Sequence, residues 1–271
     1  MEDLRQKVVL VTGAARGMGR FDAEFFCREG SVLVITDLDE AELNKVADEL
    51  KTKDYEVYPY KLDVSDRDAC FALAEKVRAE VGTVDVLINN AGITDCNEVL
   101  DLSENSVRRM MEVNFMGQVW MLQAFVPDMV KRGSGHVVDM CSVAGKVGAA
   151  NMGGYCATKA AMLALTDAIR IELRKSGVNF TIVNPSFVST GMFEGGAHSI
   201  ISPWQTPEQV AEKIVKAVKK NRAEVCAPSG PVRLAAFLRG ICMPKLSDFA
   251  LHAFGLDRPM DNWQKDTCRP F

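Results

Sequence analysis

The chain is poor in histidine, has no closely spaced cysteine pair and carries no long block of one charge. Each absence removes a class of function. Three histidines, His136, His198 and His252, are too dispersed for a triad or a metal site; they read as strand, flap and surface residues, with only His198 in reach of a substrate. The eight cysteines (27, 70, 96, 141, 156, 226, 242 and 268) include no C-x-x-C pair and no Cys/His cluster of ligand spacing. They therefore read as free thiols of a reducing compartment, and no metal is expected. With a net charge of -4 and no Lys/Arg block longer than a pair, the chain has no electrostatic footprint for nucleic acid. The N-terminus MEDLRQKVVLVTG holds an apolar run of only five residues, too short for a signal peptide or a spanning helix, so a cytoplasmic location is expected.

What is present is alternation. At 271 residues, 48% hydrophobic and 25% charged, the chain can bury one sizeable core. Apolar runs at 7–12, 31–36, 55–60, 84–89, 135–140 and 178–183 alternate with helical periodicity at 17–29, 39–53, 66–82, 103–131 and 153–175. Six buried strands separated by helices predict an α/β fold: a Rossmann-type doubly wound parallel sheet with helices on both faces. One domain is expected over 1–271, with 190–271 supplying a substrate flap and a C-terminal extension. Asp66, Ser103 and Thr206-Pro207-Glu208 mark helix starts.

The first strand runs into TGAARGMG, where Gly13, Gly17 and Gly19, with Arg16 and Met18 between them, precede a helix. Glycines there allow a tight turn and let helix N-terminal amides face a pyrophosphate, which points to dinucleotide binding. Asp37 ends the second strand, where a carboxylate accepts ribose hydroxyls and repels a 2′-phosphate, favouring NAD over NADP. Arg16 is the counter-signal, and Asp37 also reads as a helix-start acid. Asp63-Val64 and Asn90-Ala91-Gly92 follow the third and fourth strands, at the sheet edge where an adenine and its ribose would lie; Asp63 reads as well as a helix cap.

Further on, YCATK places Tyr155 and Lys159 four apart, on one face of a helix, about 5–6 Å apart at their Cβ atoms. Taken with TGAARGMG, DV at 63–64, NNAG at 89–92, Asn114 in VNF, Ser142 thirteen residues before Tyr155, and NPSFVST at 184–190, the chain resembles the classical short-chain dehydrogenase/reductase family over residues 5–191. NNAGI, YCATK and TGMFEG are similar to its branch of epidermal-type retinol dehydrogenases and 17β-hydroxysteroid dehydrogenases. Relatives there often carry an N-terminal membrane anchor, which is not expected here. Ser186 stands where many classical members have glycine.

The resemblance implies that Asn114, Ser142, Tyr155 and Lys159 are catalytic, and that Asn114 holds a water linking Lys159 to solvent. It also implies that Lys159 holds the nicotinamide ribose, that Thr190 meets the carboxamide and that Pro185 to Val188 form the loop beneath the ring. The chemistry is consistent: hydride transfer needs proton transfer at oxygen, and a nearby ammonium favours phenolate at Tyr155. Ser142 would hydrogen-bond the substrate oxygen. Taken singly, Ser142 also reads as a strand-end hydroxyl, Asn114 as a surface residue and Thr190 as a turn residue.

Val143, Val147, Met152, Phe187, Met192 and Phe193 offer an apolar wall without an Arg or Lys clamp, which favours a hydrophobic alcohol or ketone such as a steroid or retinoid. The apolar stretch 232–256, broken by Pro244, is expected to close the pocket, form a subunit interface or rest on a membrane surface. A homodimer or homotetramer is implied by resemblance. The leading function is an NAD(P)-dependent oxidoreductase; a catalytically silent dinucleotide-binding sensor or scaffold is the alternative. A sugar-nucleotide epimerase would call for G-x-x-G-x-x-G and a longer substrate region.

Overall fold

The computed structural model describes residues 1–193, 204–227, 230–241 and 243–254. Seven strands form one parallel sheet in the order β3-β2-β1-β4-β5-β6-β7. They are β1 (Val8–Thr12), β2 (Val32–Asp37), β3 (Val57–Lys61), β4 (Val86–Asn89), β5 (Gly135–Met140), β6 (Val178–Pro185) and β7 (Glu224–Ala227). Each expected strand is present. β7 was not expected, because four residues lying beside β6 are too few for an alternation to be visible in sequence.

Alternate residues of β1 and β2 explain the two layers. Val9, Val11, Leu33 and Ile35 belong to one buried cluster, with Ala23 and Phe26 of α1 (Gly17–Arg28), Leu43 of α2 (Glu40–Lys51) and Ile214 of α7 (Pro207–Lys219). Leu10, Val34 and Leu87 belong to another, with Leu73 of α3 (Arg67–Glu80) and Met121 and Phe125 of α5 (Gly117–Arg132). Side chains that alternate across a strand thus meet helices on both faces. Strand β1 pairs with β2 on one side and β4 on the other, so the order reverses there and a crevice opens beyond their carboxyl ends.

The helix expected over 103–131 is not continuous. α4 (Glu104–Met110) gives way to a π-helical turn at Met111–Met116 before α5 begins. Asn114 accounts for it: Oδ1 accepts from Ile93 N at 2.8 Å, while Nδ2 donates to Ile93 O at 2.9 Å and to Thr158 Oγ1 at 3.0 Å. Those partners are far away in sequence, so periodicity could not reveal the widened turn.

α6 (Gly153–Glu172) follows β5, and the chain ends its described part in α8 (Gly230–Gly240) and α9 (Pro244–Ala253), the latter starting at the proline that breaks the apolar stretch. Ala235 and Leu251 of this hairpin are buried with Val147, and Val143 packs against them. The hairpin therefore covers the loop after Ser142, while Phe237 and Phe249 face outward, 62% and 67% exposed. Among the described residues, no helix is long and apolar enough to cross a membrane.

Candidate active site

At the end of β1, Gly13 takes φ 66°, a left-handed conformation that glycine adopts without strain. A Cβ on Gly19 would overlap the Gly13 carbonyl, so the first turn of α1 can come this close only without a side chain. Asn90 locks the turn: its Nδ2 donates to Thr12 O at 2.8 Å and Gly13 O at 3.0 Å. Its backbone N and that of Ala91 both donate to Thr12 Oγ1, each at 3.0 Å. Asp39, Asp66, Ser103 and Thr206 cap the helices they open, but Arg16 puts no side-chain cap on α1. The first amides of α1 are left for another acceptor.

They border a cleft of about 540 Å³. Its lining includes Gly13, Arg16, Gly17, Met18, Asp37, Asp63, Val64, Asn90, Ala91, Gly92 and Thr190, all singled out from sequence. Leu38, Asp39, Leu62, Ile93, Arg109 and Val113 also line it and were not anticipated.

Asp37 Oδ2 accepts from Ala15 N and its Oδ1 from Asp39 N, both at 3.0 Å. The helix-start acid of α2 is instead Asp39, whose Oδ1 accepts from Glu42 N at 3.2 Å. Arg16 Nη2 pairs with the other Asp39 oxygen at 2.9 Å. Asp63 is not a helix cap either, since Asp66 serves α3. Asp63 Oδ1 accepts from Ser65 N and Oγ at 3.0 and 2.6 Å, and Oδ2 accepts from Arg109 Nη2 at 3.1 Å. Burial pushes the Asp63 carboxyl up, but these hydrogen bonds outweigh it and hold its pKa below the usual value. Arg109 lies too far from Asp63 in sequence for any local signal to have linked them.

Ser142, Tyr155 and Lys159 are buried together behind Gly92, beyond the residues that line the cleft. Lys159 is buried; its Nζ donates to Met140 O at 2.7 Å and lies 5.6 Å from the centre of the Tyr155 ring. A Cβ built on Gly92 would stand 3.7 Å from Lys159 Nζ and 3.2 Å from Asn114 Oδ1, so the cleft floor reaches the lysine along Gly92. Ser142 does two things. Its Oγ accepts from Ala144 N at 3.1 Å, satisfying the strand end, and its hydroxyl acts on Tyr155 to lower the phenol pKa against the effect of burial.

Burial raises the Tyr155 pKa well above its ordinary value, and the Ser142 hydrogen bond is what pulls it down. Burial lowers Lys159 to about 8, opposed by Cys141 and Asp139. The expectation that Lys159 depresses the phenol is therefore outweighed here, because desolvation disfavours charge on both groups. Asn114 is 1% exposed, which removes its reading as a surface residue. Both of its amide hydrogens are taken by Ile93 and Thr158, while Oδ1, which accepts from Ile93 N, keeps a second lone pair on the side of Gly92 and Lys159.

The apolar wall divides. Met152, Phe187 and Phe193 cluster with Tyr155, and the Phe193 ring meets the Tyr155 ring edge-on at 5.7 Å. Phe187 contacts Phe193 at 5.6 Å and stacks on Trp204 at 5.5 Å. Val143 and Val147 instead lie under the α8–α9 hairpin, and Met192 borders the cleft. Pro185 sits opposite Ala227 at the end of β6, and Val188 is buried in the core. The flap, including His198, lies outside the described residues for 194–203.

His136 is structural. Thr181 gives its hydroxyl hydrogen to Arg222 O at 2.7 Å, so His136 Nε2 must donate to Thr181 Oγ1, also at 2.7 Å. Cys27, Cys70, Cys96, Cys141 and Cys156 are buried free thiols, and among the described residues no metal-binding group is assembled.

The sequence pattern of the short chain dehydrogenase family matches residues 7–199. The chain is 36% identical over 231 residues to epidermal retinol dehydrogenase 2 of Homo sapiens, covering 82% of this chain and 74% of that protein. It is 32% identical over 227 residues to estradiol 17-beta-dehydrogenase 11 of Macaca fascicularis, covering 82% and 75%. Among solved structures, a short chain dehydrogenase/reductase from Burkholderia phymatum in complex with NAD matches 97% of this chain and 100% of its own, at 27% identity and a TM-score of 0.82.

Proposed function

Since this chain belongs to the short-chain dehydrogenase/reductase family, we propose that it interconverts a hydrophobic alcohol and its ketone or aldehyde with a nicotinamide dinucleotide, NAD in preference to NADP. One observation carries the reading: Tyr155 lies beside Ser142 and buried Lys159, and Gly92, which lines the cleft, stands against that lysine.

The residues fit such a cofactor. The glycine turn and the uncapped start of α1 suit a pyrophosphate, Asp37 suits ribose hydroxyls, and Asp63 with Val64 suits an adenine edge. When bound, the nicotinamide supplies or accepts the hydride at its C4 carbon. Ser142 Oγ orients the substrate oxygen, and Tyr155 Oη gives or takes its proton. Lys159, charged and brought against a bound ribose, stabilises the phenolate that Tyr155 becomes in the oxidative direction. The Phe187, Phe193 and Trp204 rings exclude water from the tyrosine and suit an apolar substrate, for which a retinoid or steroid is the class proposed.

The test is a panel of retinoid, steroid and aliphatic alcohols and ketones, followed by nicotinamide absorbance. Tyr155→Phe is expected to lower turnover by about 100-fold or more while dinucleotide binding persists. Near wild-type turnover would remove Tyr155 as the proton donor. Dinucleotide binding with no turnover on any class would favour the silent sensor.

A further inference from the structure

The corner of the cleft between the glycine turn and the end of β2 carries three charged side chains, Arg16, Asp37 and Asp39. Asp37 is fixed by backbone amides from both neighbouring segments. Asp39 is divided: one oxygen caps α2 at Glu42 N, and the other holds the Arg16 guanidinium at 2.9 Å. Of the three, Arg16 alone could attract a phosphate added to the ribose. A competing carboxylate already holds it, and that carboxylate is anchored by the helix it caps.

We propose that Asp39 is a cofactor-specificity residue acting through Arg16: it draws the guanidinium to the start of α2 and adds a second negative charge beside Asp37. A 2′-phosphate entering this corner must break the Arg16–Asp39 pair or approach two carboxylates without its own cation. NADP is therefore disfavoured more strongly than by Asp37 alone. The inference rests on the cleft being a dinucleotide site. Arg16 and Asp39 side chains are 41% and 43% exposed, so the pair is screened and the discrimination is modest and salt-sensitive.

Asp39→Asn provides a selective test, because asparagine caps a helix as well as aspartate while carrying no charge. Dissociation constants for NAD and NADP are measured by calorimetry on the wild type, Asp39→Asn, Arg16→Ala and the double variant, with thermal midpoints checked alongside. Asp39→Asn is expected to tighten NADP about tenfold and to leave NAD within about threefold, since Arg is then available for bidentate phosphate contact. Arg16→Ala is expected to change NADP binding little in the wild type and to abolish the gain in Asp39→Asn. A purely structural role for Asp39 would weaken both dinucleotides together. An unchanged NADP-to-NAD ratio, or a gain that survives Arg16→Ala, overturns the inference while leaving the cofactor reading intact. A wild-type protein that binds neither dinucleotide overturns both.

Discussion

Asp22 lies in α1 with both carboxylate oxygens buried and without a hydrogen-bond partner, and burial raises its pKa to about 8. In the unfolded chain it titrates near 3.9. Between those values the folded state binds more protons, so the contribution of Asp22 to stability falls as pH rises from about 4 to about 8. His136 acts in the opposite sense: its pKa is lowered to about 4, so its contribution rises with pH up to about 6.5. Lys159, lowered to about 8, adds stability with rising pH only above that value. The cleanest window for Asp22 is thus about pH 6.5–8. There, the thermal midpoint of the wild type is expected to fall relative to that of Asp22→Ala. Parallel midpoints across the window would show that the carboxyl is not buried unpaired. The positions of single residues were otherwise well exposed in sequence: the Gly13 turn, Asp37 at the end of β2 and the Tyr155–Lys159 pair on one helix all follow from residue type and spacing. Arg109 and Asp39 do not, because each acts through a partner that only folding brings near.

At the scale of elements, caps were legible and the interruption of a helix was not. Thr206 forms a reciprocal capping box with Gln209 ahead of Pro207, as its sequence signal suggested. Asn114 looked like a poor helix former in a long helix, but its three amide hydrogen bonds hold a π-helical turn against Ile93 and Thr158. Asn114→Ala would leave both Ile93 backbone groups without these partners at a part-buried place beside the cleft, at a cost of about 1–3 kcal/mol. A shift of the urea midpoint without a change in slope is the expected sign. An unchanged midpoint would mean that the turn is held by α4 and α5 alone. Because Asn114 stands beside Gly92 and Lys159, turnover is expected to fall with it.

For the whole molecule, the glycine turn, Asp37, Asp63 and Lys159 converge because β1 pairs with both β2 and β4 and all strands point the same way. A cofactor in that crevice binds the folded chain and not the unfolded one. NAD at 100 times its dissociation constant should therefore add about 2.7 kcal/mol of stability and raise the thermal midpoint by a few degrees. No shift at saturating NAD, with NADP also inert, would count against the crevice as a dinucleotide site.

By itself the sequence determined the alternation of buried strands and amphipathic helices, the glycine turn and the positions of the reactive side chains. Each depends on residue type and on spacing within one element. The tertiary structure alone decided that the wall splits between Tyr155 and the C-terminal hairpin, and that β7 completes the sheet. It also decided that Tyr155 and Lys159 are buried, so that desolvation raises the pKa of the one and lowers that of the other. Those outcomes depend on which distant segments share a cavity and on how much water they exclude, and neither is written in local spacing.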